Sequence, residues 1–421
     1  MSLPSPLLPF FRDAGGVLMS YGPADMTPPC DVVAALGPIE LEYGSLRKHA
    51  ALLDQPTRGV LRLTGPERID FLNRMITQEM KGLAPFSCRR SFWLNRKGRI
   101  DADLRVINLP EETLLDLDIL ATDRARKGLD SFIISEDCAI SDATPTLHRL
   151  ALHGPTAASL LSLCASTDVT TLQQNSAINI TIANTQLLVL RDDTAGVPGY
   201  ELFIPTANAL AVVREFIAKG HDHRHHNEPG RAIALLQRDD PAASIRLQLI
   251  GWHAYNMARI EAGTPLYNMD FGPENLPAET GVLSDRVSFT KGCYLGQEIV
   301  ARMHARGQSK QSLVTIKFER LIAADQPNDQ RDDQAPYPPL PDPGAALALE
   351  GTAQQPGEVI GTITSAAPAP TLGMTPVAFA QIKTTHAKPG TVVISHAEGQ
   401  LIRGVLQPTL TAQPTQKSAT Q

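Results

Sequence analysis

Twice in the first half of the chain an alternating apolar run meets a Gly-Pro pair and continues with a helical pattern. In GVLRLTG (59–65) the apolar positions Val60, Leu61 and Leu63 read as a strand. PERIDFLNRMIT (66–77) follows with Pro66 at its start and Ile69, Leu72, Met75 and Ile76 on one helical face. TPTLHRLALHGPTAASLLSLC (144–164) repeats the strand, turn and helix. A third cycle runs from QLLVLRDD (186–193) through GYELFIP (199–205) to a helix at about 207–219. Between the first two lie SFWLNRKGRIDADLRVINL (91–109), which reads as two strands about an Arg-Lys-Gly turn, and TLLDLDI (113–119), a further strand. ATDRARKGLDSFII (121–134) predicts a helix followed by a strand. Strands that alternate with helices and also form hairpins commit the chain to an α+β arrangement around mixed sheets.

After Lys310 the texture changes. SLVTIKFE (312–319) is a strand, whereas AADQPNDQRDDQAPYPPLPDPG (323–344) has too few apolar residues to bury and reads as a mobile insertion. GEVIGTITSA, VAFAQIK, GTVVISH and IRGVLQP then recur between turns, the pattern of a small antiparallel β-barrel. The expected division is an N-terminal extension (1–36), a main region (37–310) of two interleaved subdomains, the barrel (311–410) and a disordered tail (411–421). A chain of 421 residues is too long for one ordinary core, which agrees with several domains.

The formal net charge of −6 argues against a broad nucleic-acid surface. No apolar stretch reaches the ~18 residues of a membrane span, and the start lacks the pattern of a secretory signal. Five scattered cysteines (Cys30, Cys88, Cys138, Cys164, Cys293) offer no disulfide framework, so a cytoplasmic location is expected. Without a Cys-x-x-Cys pair the chain does not supply the four thiolates of an iron–sulfur cluster, and no permanently bound metal is expected. The histidine-rich GHDHRHHNEPGR (220–231) lacks strict ligand spacing and reads as a solvated insertion of open role.

One stretch carries chemistry. In KGCYLGQEIVARM (291–303) Gly296 permits a turn, Gln297 and Glu298 suit a first helical turn, and Ile299, Val300 and Met303 form an apolar stripe. This places Cys293 near a helix N-terminus with Lys291 two residues away, both of which favour thiolate. A buried, inert cysteine is the competing reading.

KGCYLGQE followed by VAR resembles the K-G-C-[FY]-x-G-Q-E motif of the YgfZ family, folate-binding proteins of iron–sulfur cluster maintenance related to the glycine-cleavage T-protein (GcvT, aminomethyltransferase). ARIEAGTPLYNMD (258–270), LPAETG (276–281), GYELFIP (199–205) and PGEVIGTITSAAPAPTLG (356–373) are similar to blocks of the wider superfamily. The resemblance implies a clover-leaf of two folate-binding α/β subdomains around a central channel, plus the C-terminal antiparallel barrel. It implies tetrahydrofolate or a derivative as cofactor, with Glu201 as the carboxylate for the pterin edge and Tyr200 beside the ring. Arg259 would serve the anionic end of folate or pair with Glu261 or Asp270, and Lys291 joins the binding set. Cys293 is the first candidate catalytic residue and Asp103 the second, and iron–sulfur client or assembly proteins are the implied partners. GRIDADL (98–104) departs from the T-protein hairpin G-G-I-x-D-D-L, because Ala102 stands at the first aspartate and only Asp103 remains of the pair. Alanine neither accepts nor donates a proton, and Asp101 and Asp103 share a strand face that Ala102 does not.

The expected function is therefore folate-dependent assistance in assembling or repairing iron–sulfur clusters in client enzymes. An aminomethyltransferase or methyltransferase of T-protein type is the first alternative, and a non-catalytic interaction module the second. Whether a reaction is catalysed stays open; if one is, it is a tetrahydrofolate-dependent one-carbon transfer.

Overall fold

The computed structural model describes residues 4–23, 25–220, 245–307, 309–320, 339–352 and 355–408. Residues 221–231 of the histidine-rich stretch, 323–338 of the Pro/Asp-rich insertion and the tail 411–421 lie outside the described residues. Among the described residues no helix is long and apolar enough to cross a membrane. The chain forms two compact units: Met1–Asn95, Asp101–Tyr255 and Asp285–Leu295 make the first, and Arg96–Ile100, Asn256–Ser284 and Gly296–Gln421 the second.

The first unit holds two large sheets. One has six strands in the spatial order Ala177–Ile182 (β10), Thr185–Arg191 (β11), Gly199–Pro205 (β12), Leu147–His153 (β9), Ala50–Asp54 (β3) and Leu247–Ile250 (β13). All its neighbours are antiparallel except β13, which runs parallel to β3. The other sheet has five strands: Ser87–Leu94 (β5), Ile100–Asn108 (β6), Glu112–Asp118 (β7), Arg58–Thr64 (β4) and Ala139–Asp142 (β8).

Alternation along each strand decides what the sheets bury. Leu150, Leu152, Val189, Tyr200, Leu202 and Ile204 face one way, into a core completed by the helices Ala157–Ala165 and Ala209–Gly220. Their neighbours Leu188, Leu190 and Phe203 face the other way and meet Val60, Ile107 and Leu114 of the five-stranded sheet. The two sheets are thus packed face to face over an apolar layer. Leu7 and Phe11, from the stretch read as an N-terminal extension, belong to the helix-side core together with Val33. That stretch is consequently part of the unit, because its large apolar side chains are buried.

The strand expected at the end of 121–134 does not form. The helix Ile119–Asp130 ends in turns, and Ile134 is left exposed. On this helix a Cβ at Gly128 would lie 2.1 Å from Trp93 Cη2. Alanine is the better helix former by about 1 kcal/mol, but here it meets a buried, rigid indole. We expect Gly128→Ala to lower stability by about 1–3 kcal/mol, read as a reduced urea midpoint at unchanged slope. An unchanged or raised midpoint would show that the indole yields without cost.

The second unit contains a closed antiparallel barrel. Its six strands follow the order Gln311–Arg320 (β14), Thr375–Lys383 (β17), Pro356–Ala369 (β16), Ala346–Glu350 (β15), Val392–Ala397 (β18) and Gln400–Gln407 (β19), with β19 returning to β14. Ile316, Phe318, Leu347, Ile363, Val393 and Leu406 fill it. The helix Gln297–Arg306 starts after Gly296, whose φ of 82° is a left-handed turn that glycine adopts without strain.

Candidate functional site

Part of the layer between the two sheets is not apolar but charged. Along β4, β5, β6 and β7, Arg58, Arg90, Arg105 and Asp116 share faces with Val60, Cys88, Ile107 and Leu114. Opposite them, Arg149 and His153 on β9 and Glu201 on β12 lie on the face of Phe203. Asp192, just past the end of β11, completes the set.

The ions pair densely. Asp116 is fully buried, with Arg58 Nη2 at 3.0 Å, Arg105 Nη1 at 3.2 Å and Arg149 Nη1 in direct contact. Arg149 Nη2 donates to Glu201 Oε2 at 2.7 Å, while Arg149 also lies 3.6 Å from the centroid of the Phe203 ring. Asp192 pairs with Arg105 at 3.0 Å and accepts from Arg90. Burial would raise the Asp116 carboxyl, but Arg149, Arg58 and Arg105 overcome it and hold the group down at about 2. Asp192 falls well below the usual carboxylate range in the same way, with Arg105 and Arg90 outweighing its burial.

Glu201 is 1% exposed. Its Oε2 is fixed by Arg149, whereas Oε1 has Arg105 Nη1 at 3.4 Å, an ion pair without a formed hydrogen bond. Tyr200, one residue earlier, points into the helix-side core, where Arg191 Nη1 donates to its hydroxyl at 3.2 Å. Strand neighbours face opposite sides, so Tyr200 does not sit beside Glu201 as the wall of one pocket.

The 98–104 hairpin behaves as its alternation requires. Ala102 is completely buried, and Asp101 and Asp103 are half-buried on the face that carries Arg105. Asp103 is gripped by Arg286, with Nε at 3.1 Å from Oδ1 and Nη2 at 3.4 Å from Oδ2, while Asp101 Oδ1 accepts from Asn95 at 3.2 Å. Arg286 was not among the residues singled out by sequence; a lone arginine in LSDR carries no distinguishing signal.

Arg259 belongs to the second unit and is fully buried, bonded to Asp270 at 2.5 Å and to the carbonyl of Thr264 at 3.1 Å. Asp270 in turn accepts from Thr364 (3.0 Å) and Ser365 (2.5 Å) of β16, which ties the pair to the barrel. Glu261 instead accepts from Thr371, from its backbone N–H at 3.1 Å and its hydroxyl at 2.7 Å. The structure brings Arg259 together with Asp270 rather than with Glu261.

Cys293 is the exposed one of the five cysteines. The helix after it begins only at Gln297, so the thiol precedes the first helical residue by four positions. Lys291 is engaged with backbone carbonyls: Nζ donates to those of Ile76 (2.7 Å) and Gln78 (2.8 Å), and burial lowers the ammonium to about 8. The two supports expected for a stabilised thiolate therefore do not converge on Cys293. Among the described residues no group of three or more His, Cys, Asp or Glu side chains could hold a metal ion.

Residues 33–240 match the GCVT N-terminal domain family. An aminomethyltransferase of Streptomyces avermitilis is 27% identical over 371 residues, covering 87% of this chain and 86% of the relative. One of Saccharopolyspora erythraea is 25% identical over 84% of each chain. Among solved structures, the glycine cleavage system aminomethyltransferase T of Bartonella henselae superposes with a TM-score of 0.75 at 19% identity and covers 97% of both chains, which shows a common fold.

Proposed function

We propose that this chain, a member of the GcvT-like superfamily, binds a tetrahydrofolate species at the charged layer of its first unit, with Glu201 receiving the pterin edge. The observation that carries this reading is the asymmetry of Glu201: one oxygen accepts a hydrogen bond from Arg149, whereas the other, among the described residues, has only the 3.4 Å ion pair with Arg105. A pterin presents an amino group and a ring N–H side by side, and a carboxylate with an oxygen to spare accepts from such a pair. Arg105 and Arg149 would then hold the carboxylate in place. When bound, the folate would supply one-carbon chemistry; the protein groups described here supply orientation and exclusion of water. The relatives named aminomethyltransferase support the use of folate.

Those names also support aminomethyl transfer as the reaction. The hairpin geometry favours a second reading. Ala102 has no group for proton transfer, and of the two flanking carboxylates Asp101 accepts from Asn95 while Asp103 is held by Arg286. Together with the exposed Cys293, this suits the second reading, a folate-binding protein that assists assembly or repair of iron–sulfur clusters in client proteins, whereas the relatives' names favour the transferase.

Two measurements test these statements. Glu201→Gln should weaken tetrahydrofolate binding by about 1.5–3 kcal/mol in anaerobic isothermal titration, since the amide replaces an acceptor with an N–H donor. Equal affinity of variant and wild type would remove Glu201 from the site. An aminomethyl-transfer assay with the wild-type protein separates the two reactions: turnover typical of an enzyme would establish the transferase and exclude the second reading.

A further inference from the structure

We propose that His153 is a ligand-contacting residue of the Glu201 site, offering one hydrogen-bond donor and one acceptor to a flat heteroaromatic ring of pterin type. This rests on the reading of Glu201 as the folate carboxylate and extends it to a residue that no sequence motif marks.

His153 is fully buried, and among the described residues neither Nδ1 nor Nε2 has a hydrogen-bond partner. A buried polar atom left unpaired costs about 1–3 kcal/mol, so a histidine with two such atoms is a poor filler for a core. Its place explains what it could serve. In the β9–β12 ladder Ala151 stands opposite Glu201 and His153 opposite Gly199, so the imidazole is the diagonal neighbour of the carboxylate on the same face. Gly199 makes this close approach possible, because a Cβ there would lie 2.8 Å from Nδ1.

The ring plane is set from the other side. Tyr255 stacks on it with centroids 5.4 Å apart and planes at 23°, and the Tyr255 hydroxyl is itself hydrogen-bonded to Thr194 Oγ1 at 3.1 Å. Burial lowers the imidazole pKa, against the opposing pull of Glu201, Asp192 and Asp193 and with the help of Arg105. The imidazole is therefore neutral at pH 7, with one N–H and one lone pair. Pterin edges alternate donors and acceptors, and a neutral imidazole beside a carboxylate complements that alternation.

The experiment is anaerobic titration of the full chain with tetrahydrofolate, comparing wild type, His153→Ala and His153→Gln, with thermal unfolding as the check on folding. The glutamine amide keeps one donor and one acceptor. We expect about tenfold weaker binding for His153→Ala and recovery to within about threefold of wild type for His153→Gln. In ¹⁵N-histidine-labelled wild type, the imidazole resonance that vanishes in His153→Gln should move on adding tetrahydrofolate, a readout that holds even if the alanine variant does not fold. Tight binding by wild type with an unmoved resonance would return His153 to the core and leave Glu201 in place. No binding by wild type would overturn the folate reading, and this proposal with it.

Discussion

Replacing Asp116 by asparagine should remove about 3–5 kcal/mol from the stability of the protein, the loss expected when one partner of a buried ion pair is deleted. Asp116 is the node of the charged layer, reached by Arg58, Arg105 and Arg149 and itself completely buried. Asparagine matches its shape, so the effect reports charge rather than a cavity. Three guanidinium groups would keep their positive charges in low dielectric with one fewer carboxylate to balance them. Burial of the pair says little about whether the layer stabilises the fold relative to an apolar one. Breaking it is what costs.

The same node fixes a pH dependence. The folded Asp116 carboxyl is held at about 2, below the ~3.9 of an unfolded aspartate. A depressed pKa contributes stability that is fully present above the unfolded value and is lost as pH falls through the folded one. Wild-type stability should thus decline between about pH 5 and pH 2, and Asp116→Asn should decline less steeply over that window. Parallel acid profiles of the two proteins would show that Asp116 does not carry the linkage. Urea unfolding at a series of pH values gives both the loss at neutrality and the slope.

How much of this was legible in the sequence depends on the length over which an interaction acts. Alternation in GVLRLTG, GYELFIP and VAFAQIK located strands, because a period of two is written within seven residues. The barrel followed from short strands between turns. In contrast, the partners of the charged layer lie at 58, 90, 105, 116, 149, 192 and 201, and nothing local says that they meet. One trace was available: in TLLDLDI, Asp116 stands between Leu115 and Leu117 in a strand that is almost wholly buried, and a buried charge there needs a partner. The pairing of Arg259 with Asp270 was foreseeable as one of two options, since both lie within one short segment. The opposite facing of Tyr200 and Glu201 was readable from alternation alone. His153 was not, because a histidine in a β-strand has no motif and becomes informative only when its missing partners are seen.

Cys293 should be the single thiol that reacts rapidly in the native protein. The basis is access, not the helix terminus and ammonium that the sequence suggested, since the helix starts at Gln297 and Lys291 is engaged with carbonyls. The other four cysteines are suppressed twice over. Cys30 and Cys88 are buried and Cys138 and Cys164 partly so. Burial, aided by nearby carboxylates, pushes Cys30 and Cys164 up to about 12, and burial does the same to Cys88 against the pull of Arg105. Cys138 is raised as well, by burial and by Glu136. A thiol at 12 is thiolate in only about one molecule in 10⁵ at pH 7, against roughly one in 30 for a free cysteine at ~8.5. For Cys30, Cys88 and Cys164 that factor of about three thousand multiplies the steric protection. With a disulfide exchange reagent at pH 7 we expect one thiol to react in a fast phase, at least ~100-fold ahead of the next, and all five after unfolding in guanidinium. Cys293→Ser should abolish the fast phase and leave the slow one. A fast phase that survives the substitution would place the reactive thiol elsewhere, and no fast phase in the wild type would show that Cys293 is covered in solution. Since the iron–sulfur reading requires a thiol that a client can reach, the second outcome would also remove its main structural support.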